Sequence, residues 1–435
     1  EKTMKKLYEK HLSKVCNTFD ELMNKYNYNE VVLYSGEAKV VHLDDNRYPY
    51  KVYTNFKYFA PVLNNPHSFI IYKSGEKPQL VLFQKVDYWD SQPKAIEGVW
   101  TKFFDISYYH SLDDMRAVLS KDLSTTAIIG EEITRFQDYD FKSLNDQRVV
   151  DYIHFSRCIK SEYEVECMRK ANEIAAVAHK AACAAFLRGD SEIQTHLAYL
   201  DSINYRESEV PYENIVAFDE SSAILHYVDY KREKFDAKSF LLDAGASFNG
   251  YHADITRTFV KPGHEKFGKL IKAVDESTLN IISKIKVGMS YETLQEQMHL
   301  DVAQTLADFG FMNISAEEIY EKKYTKLFSP AGIGHYIGLQ VHDIGNTLLD
   351  TDGSTIGRSN EHPFLRLRKD IEIGNVFTIE PGIYIIDQLL KPYYGKKEFN
   401  WDVIDEFRSY GGARVEDSVY VSEDGVENLT RPYLP

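Results

Sequence analysis

Apolar positions recur at helical spacing from residue 3 to residue 26, the first periodic stretch of the chain. "EVVLYSG" then reads as a strand, and "HSFIIYKSGEKPQLVLFQ" as two strands joined by a turn at Ser74-Gly75-Glu76. "TTAIIGEE" is a short apolar run of the kind found in an interior strand. Helical stretches separate these runs, so the pattern predicts an α/β domain ending near residue 155.

A long helix is expected next. "SEYEVECMRKANEIAAVAHKAACAAFLRG" offers Ser161 as N-cap, Glu164 three residues on, and Gly189 just past the end. Further helices are predicted at about 191–206, 264–285 and 291–309. Residues 239–260 are strand-like on both sides of "SFNG", and "NVFTIEPGIYI" and "ARVEDSVYVS" carry strand patterns in the last third. Residues 388–412 form a long polar and aromatic insertion between two strands, a length that is uncommon without a function. No repeat or low-complexity segment interrupts this order. The fold class expected is α+β, with a mixed α/β domain over residues 1–156 and a second domain over 157–435.

With 435 residues the chain is long enough for a sizeable buried core. Its formal net charge of -15 argues against nucleic acid or an anionic membrane as a partner. There is no apolar run of membrane-spanning length. The opening "EKTMKKLYEKHLSKV" is a charged helix pattern without the apolar core of a signal peptide. Cys16, Cys158, Cys167 and Cys183 form no C-x-x-C pair and fit free thiols in a reducing compartment, so a cytoplasmic protein is expected.

The chemistry is carried by acidic residues placed in apolar strands. In "FLLDAGASFNGYHADITRTFV" the loop Ser247-Phe248-Asn249-Gly250 is centred midway between Asp243 and Asp254. That register sets the two carboxylates directly opposite, where they repel unless one is protonated or a cation lies between them. Glu380 in "FTIEPGIY" and Glu416 in "ARVEDSVYV" are also carboxylates in apolar strand patterns. Buried carboxylates are paired or metal-bound. In "SPAGIGHYIGLQVHD", glycines at 332, 334 and 338 surround His335, and His342 follows. The loop lacks the lysine of a phosphate-binding G-x-x-x-x-G-K-[ST] motif. Two aspartates, two glutamates and one histidine hold too much oxygen for a structural zinc site. They suit manganese or cobalt, and two ions sharing carboxylates in a hydrolytic centre.

These five residues, in this order and these contexts, resemble the metal ligands of the pita-bread (creatinase/aminopeptidase-like) metallopeptidases. The contexts are most similar to the bacterial Xaa-Pro dipeptidases, or prolidases, and the related organophosphorus acid anhydrolases. The similarity extends to "HLDDNRYPYKVYTNFKYFAPV" near the start and "FNWDVIDEF" in the insertion. The resemblance implies a C-terminal pita-bread domain, a homodimer, and two divalent ions, manganese foremost with cobalt or zinc as alternatives. It implies that Asp243 holds one ion, Asp254 and Glu416 bridge, His335 and Glu380 hold the other, and a bridging hydroxide attacks the scissile carbonyl. Glu380 would manage the nucleophile's proton. His226 and His342 match substrate-contacting histidines, and Arg414 an arginine near a dipeptide's free carboxylate. Tyr212, Leu225 and Val341 match pocket walls, and Asp45 a residue of the N-terminal domain that reaches an active site. Taken singly, His226 and His342 also suit buried structural histidines, Tyr212, Leu225 and Val341 plain core, and Arg414 a partner for a strand carboxylate.

The sequence departs from the family pattern at one point. Where relatives read histidine-glycine-x-glycine-histidine, this chain reads "AGIGH", with Ala331 first. Loss of a charge-assisted contact to the substrate carboxylate costs about 1.5–3 kcal/mol, or about 10- to 150-fold. The expectation is an Xaa-Pro dipeptidase with possible side activity on organophosphorus esters and fluorides. Its alternatives are an Xaa-Pro aminopeptidase, an organophosphate-type hydrolase of altered specificity, and an inactive pita-bread domain that binds a partner.

Overall fold

The computed structural model describes residues 2–435 and separates into two compact units. The first takes in the chain as far as Glu166 together with Leu348–Thr355. The second comprises Cys167–Thr347 and Ile356–Pro435.

In the first unit the helix Lys2–Tyr26 buries Tyr8, Leu12, Val15, Phe19 and Leu22, the stripe its periodicity predicts. A six-stranded mixed sheet runs in the order Asp105–Tyr109, Gln79–Phe83, Phe69–Tyr72, Glu30–Tyr34, Thr126–Ile129, Ser143–Leu144. Glu30–Tyr34 pairs antiparallel with Phe69–Tyr72 and parallel with Thr126–Ile129. The three are buried throughout, which is why they read as unbroken apolar runs.

The helix Glu162–Leu187 starts on the expected capping box: Glu164 N–H donates to Ser161 Oγ (3.3 Å), and Ser161 N–H donates to Glu164 Oε1 (3.1 Å). In the second unit, Ala178, Ala182 and Phe186 of this helix pack against Phe218, Phe240 and Leu242. The latter belong to a three-stranded antiparallel sheet in the order Ile255–Val260, Ser239–Ala244, Ile215–Phe218. A second three-stranded sheet joins Val376–Ile379, Asp417–Ser422 and Gly425–Asn428, and a short ribbon pairs Gly382–Tyr384 with Gly412–Arg414. The insertion after Tyr384 is largely helical, with Asp387–Leu390 and Trp401–Arg408, and the rings of Phe399 and Trp401 stack at 5.1 Å. The architecture is α+β as expected. Among the described residues no helix is long and apolar enough to cross a membrane, and no disulfide joins the four cysteines.

His179, fully buried in the helix Glu162–Leu187, donates Nε2–H to the carbonyl of Ala244 (2.8 Å). Burial pushes its pKa down to about 3. The unfolded imidazole takes up a proton near pH 6.5 and the folded one does not. Unfolding therefore binds a proton between these values, and stability is lost as pH falls through that window. At pH 5 this one group removes about 2 kcal/mol relative to neutral pH. Urea titrations at pH 7 and pH 5 are expected to show a shallower pH dependence for His179→Gln than for the unsubstituted chain. Equal dependences would remove His179 as the cause.

Candidate metal centre

The two aspartates are placed by the hairpin Ser239–Val260. It turns on two residues, Asn249 (φ 50°) and Gly250 (φ 84°), both left-handed, as a tight twisted hairpin requires. Phe248 pairs with Tyr251, Ser247 with His252, and Asp243 with Thr256. The four-residue loop expected from the sequence is therefore corrected: Asp243 faces Thr256, and Asp254 lies diagonally from it. The cause is the Asn-Gly pair, whose tolerance of positive φ moves the turn's centre by one residue. The two carboxylates still share a side, because Tyr212 Oη lies 2.7 Å from Asp243 Oδ1 and 2.8 Å from Asp254 Oδ1. A phenol has one proton and can donate to only one of them.

Glu380 and Glu416 are not inside strands, as their apolar surroundings suggested, but at breaks between strands. Glu380 falls between Val376–Ile379 and Gly382–Tyr384, followed by Pro381, which has no N–H to continue a ladder. Glu416 falls between Gly412–Arg414 and Asp417–Ser422 and donates its N–H to the carbonyl of Thr256 (3.0 Å). Each carboxylate is steadied by a threonine hydroxyl: Thr378 Oγ1 donates to Glu380 Oε2 (2.9 Å), and Thr256 Oγ1 to Glu416 Oε1 (2.8 Å).

The glycine loop supplies His335. Its N–H donates to Thr378 Oγ1 (3.1 Å), and its carbonyl accepts from Thr378 N–H (2.9 Å). A Cβ at Gly334 would lie 2.1 Å from the Thr378 carbonyl and 2.3 Å from Tyr291 Oη, so only glycine lets the loop approach this closely. His335 Nδ1 is 2.8 Å from the Tyr336 carbonyl, which suits a proton on Nδ1 and turns Nε2 to the carboxylates. Nε2 lies 3.3 Å from Asp254 Oδ2 and 3.5 Å from Glu380 Oε2.

Asp254, His335, Glu380 and Glu416 thus each offer a ligand atom, all within 4.8 Å of one another. Asp243 stands beside this group, with Oδ2 accepting from Arg414 Nη2 (2.9 Å). The electrostatics call for positive charge. Burial and the nearby Asp254 push Asp243 up to about 7. Burial, Asp254 and Glu380 raise Glu416 far above the carboxylate range. Burial opposes protonation of His335, yet Asp254 and Glu380 outweigh it and raise the imidazole to about 10. Among the described residues, Glu416 Oε2 is buried with no hydrogen-bond partner. An oxygen-rich set with an orphaned carboxylate oxygen fits hard divalent cations.

These residues open into a cavity of about 480 Å³. Tyr212, Leu225, His226, Val341, His342 and Arg414 all line it, as does Ala331. The ring of His342 meets that of His335 edge-on at 4.4 Å. Arg414 also donates to Tyr384 Oη (2.8 Å), so its guanidinium is engaged by the protein. Asp45 lies in the first unit, on an exposed turn where its N–H donates to Asp44 Oδ1 (2.6 Å). Sequence reasoning missed Tyr384, Thr256 and Thr378. Thr256 and Thr378 left a signal, each two residues from a candidate carboxylate, Asp254 or Glu380, and so on the same side of an extended chain.

Residues 166–423 match the model of metallopeptidase family M24, and residues 6–155 match the Xaa-Pro dipeptidase N-terminal domain. The chain belongs to metallopeptidase family M24. It is 45% identical to Xaa-Pro dipeptidase 2 of Idiomarina loihiensis over 429 residues, covering 98% of this chain and 97% of that protein. It is 40% identical to the Xaa-Pro dipeptidase of Pseudoalteromonas translucida, covering 98% of each. Its fold is similar to that of Escherichia coli aminopeptidase P at a TM-score of 0.75 and 21% identity, over 99% of this chain and 95% of that one. As an M24 member this chain is a metal-dependent hydrolase with the pita-bread fold, and its carboxylate–histidine cluster fits the divalent ions the family implies.

Proposed function

We propose that this chain hydrolyses Xaa-Pro dipeptides at a dinuclear centre. The convergence of Asp254, His335, Glu380 and Glu416 within 4.8 Å carries this reading. Its support in chemistry is the neighbouring fourth carboxylate, that of Asp243. Its support in kinship is a set of relatives named Xaa-Pro dipeptidase. In this reading Asp243, Asp254, His335, Glu380 and Glu416 would together hold the ions. Manganese is the ion proposed, with cobalt or zinc as alternatives. When bound, such ions supply an activated water and polarise a carbonyl.

The remaining work falls to side chains. Glu380 takes the proton of the attacking water and passes it toward the leaving nitrogen. His226 and His342, on the cavity wall, donate to the oxyanion and to the substrate. Arg414 places positive charge near the substrate's free carboxylate, and Tyr212, Leu225 and Val341 shape the cavity around it. The domain of residues 1–156 serves as a dimerisation surface and rim, through which Asp45 reaches an active site. Four cysteines with no disulfide among the described residues suit residence in the cytoplasm.

Hydrolysis of a small Xaa-Pro dipeptide panel by metal-stripped protein, with and without manganese, tests this proposal. Manganese-dependent cleavage is the expected result. Ala331 on the cavity wall favours one second reading, altered specificity. Uptake of two ions with cleavage of Xaa-Pro tripeptides or organophosphorus esters, but of no dipeptide, would decide for it.

A further inference from the structure

Behind the glycine loop lies a buried polar chain that the hydrolytic roles leave unused. Gln295, in the helix Glu292–Asp308, is 3% exposed. Its Oε1 accepts from Ile333 N–H (2.6 Å), and its Nε2 donates to the Ala331 carbonyl (3.3 Å). One carboxamide therefore grips the backbone on both sides of Gly332. The Ile333 peptide is held at its other end as well, because its carbonyl accepts from Glu380 N–H (2.8 Å). Two residues on, His335 is tied through backbone and hydroxyl to Thr378.

The carboxamide is itself oriented. Gln295 Nε2 lies 3.1 Å from His299 Nε2, and His299 Nδ1 lies 2.9 Å from Thr325 Oγ1. An amide nitrogen can only donate, so His299 Nε2 accepts and the imidazole is neutral with its proton on Nδ1. Burial and the nearby His362 favour that state. Each polar atom of the Gln295 side chain then has a partner, and flipping the amide would set N–H against N–H at Ile333.

We propose that Gln295 is a positioning residue: its carboxamide clamps the Ala331–Ile333 backbone and so fixes His335 and Glu380 relative to each other. The consequence for catalysis rests on the metal reading above, but the clamp acts on the protein alone. Residues that orient metal ligands indirectly are worth about 10- to 100-fold in metal affinity. The same helix thereby couples loop order to the centre without lining the cavity.

The test compares the full chain with Gln295→Met, which keeps the volume and removes both hydrogen-bonding atoms. Amide exchange is followed in peptides covering 329–336 and 376–381, on stripped and loaded protein. Cobalt affinity and the visible spectrum of the cobalt form are measured alongside. The variant is expected to exchange about tenfold faster in both peptides, the equivalent of one lost buried hydrogen bond. Cobalt should bind 10- to 100-fold more weakly with a changed spectrum. Unchanged exchange, or faster exchange with unaltered cobalt affinity and spectrum, overturns the proposal. If Gln295→Met does not fold, His299→Leu removes the group that orients the amide. It is expected to shift the same readouts several-fold, and unaltered values there overturn the proposal equally. Failure of the unsubstituted chain to take up cobalt defeats the metal reading instead, while the exchange comparison still decides the clamp.

Discussion

Asp254→Asn is expected to abolish dipeptide hydrolysis, lowering kcat by more than about a thousandfold, since a metal pair contributes several kcal/mol to the transition state. The side chain keeps its size, so the fold should survive, and circular dichroism would confirm it. What changes is chemistry. Asp254 is 5% exposed, with Oδ1 beside Tyr212 Oη (2.8 Å) and Oδ2 beside His335 Nε2 (3.3 Å). A carboxylate can serve two ions through its two oxygens, whereas a neutral amide offers one oxygen and a nitrogen that cannot ligate. Metal content by elemental analysis should drop below that of the unsubstituted chain. A variant with full metal and normal turnover would sink the site assignment.

Ala331→His is expected to raise kcat/KM on Xaa-Pro dipeptides by about 10- to 150-fold, the value of one charge-assisted hydrogen bond. Ala331 lines the cavity, so an imidazole there faces the substrate space rather than the core. Its carbonyl is already fixed by Gln295, which limits how far the backbone can shift to accommodate the ring. The cavity of about 480 Å³ leaves room for the addition beside a dipeptide. Steady-state kinetics on one good dipeptide, with metal content matched, decides the matter. If neither kcat nor KM moves, the position does not contact the substrate or its loss is compensated elsewhere in the cavity.

Much of the helical framework was legible because its signals are local. The capping box at Ser161 and Glu164 announces the helix that follows. The residues that converge at the candidate centre left a signal too, because carboxylates amid apolar strand patterns and a histidine among close glycines are unusual enough to suggest a cation. The register of the hairpin was not. The sequence holds the Asn-Gly signal, but it competes with a longer loop of equally turn-like residues, and one residue of shift changes every facing pair. Glu380 and Glu416 were misplaced by the same kind of ambiguity, since a break of one or two residues hardly disturbs an apolar run.

By itself, then, the sequence determined which residue types are available to the centre and the order in which the elements that carry them form. Those properties follow from spacing, capping and burial along a few adjacent turns. Only the tertiary structure decided that Asp254, His335, Glu380 and Glu416 meet within 4.8 Å, that Tyr212 spans two aspartates, and that Gln295 grips the loop of His335. Those contacts join residues dozens of positions apart, and no local propensity encodes them. They exist because separate sheets, a helix and a glycine loop pack together, which crowds several largely buried carboxylates into one site and so creates the demand for a cation.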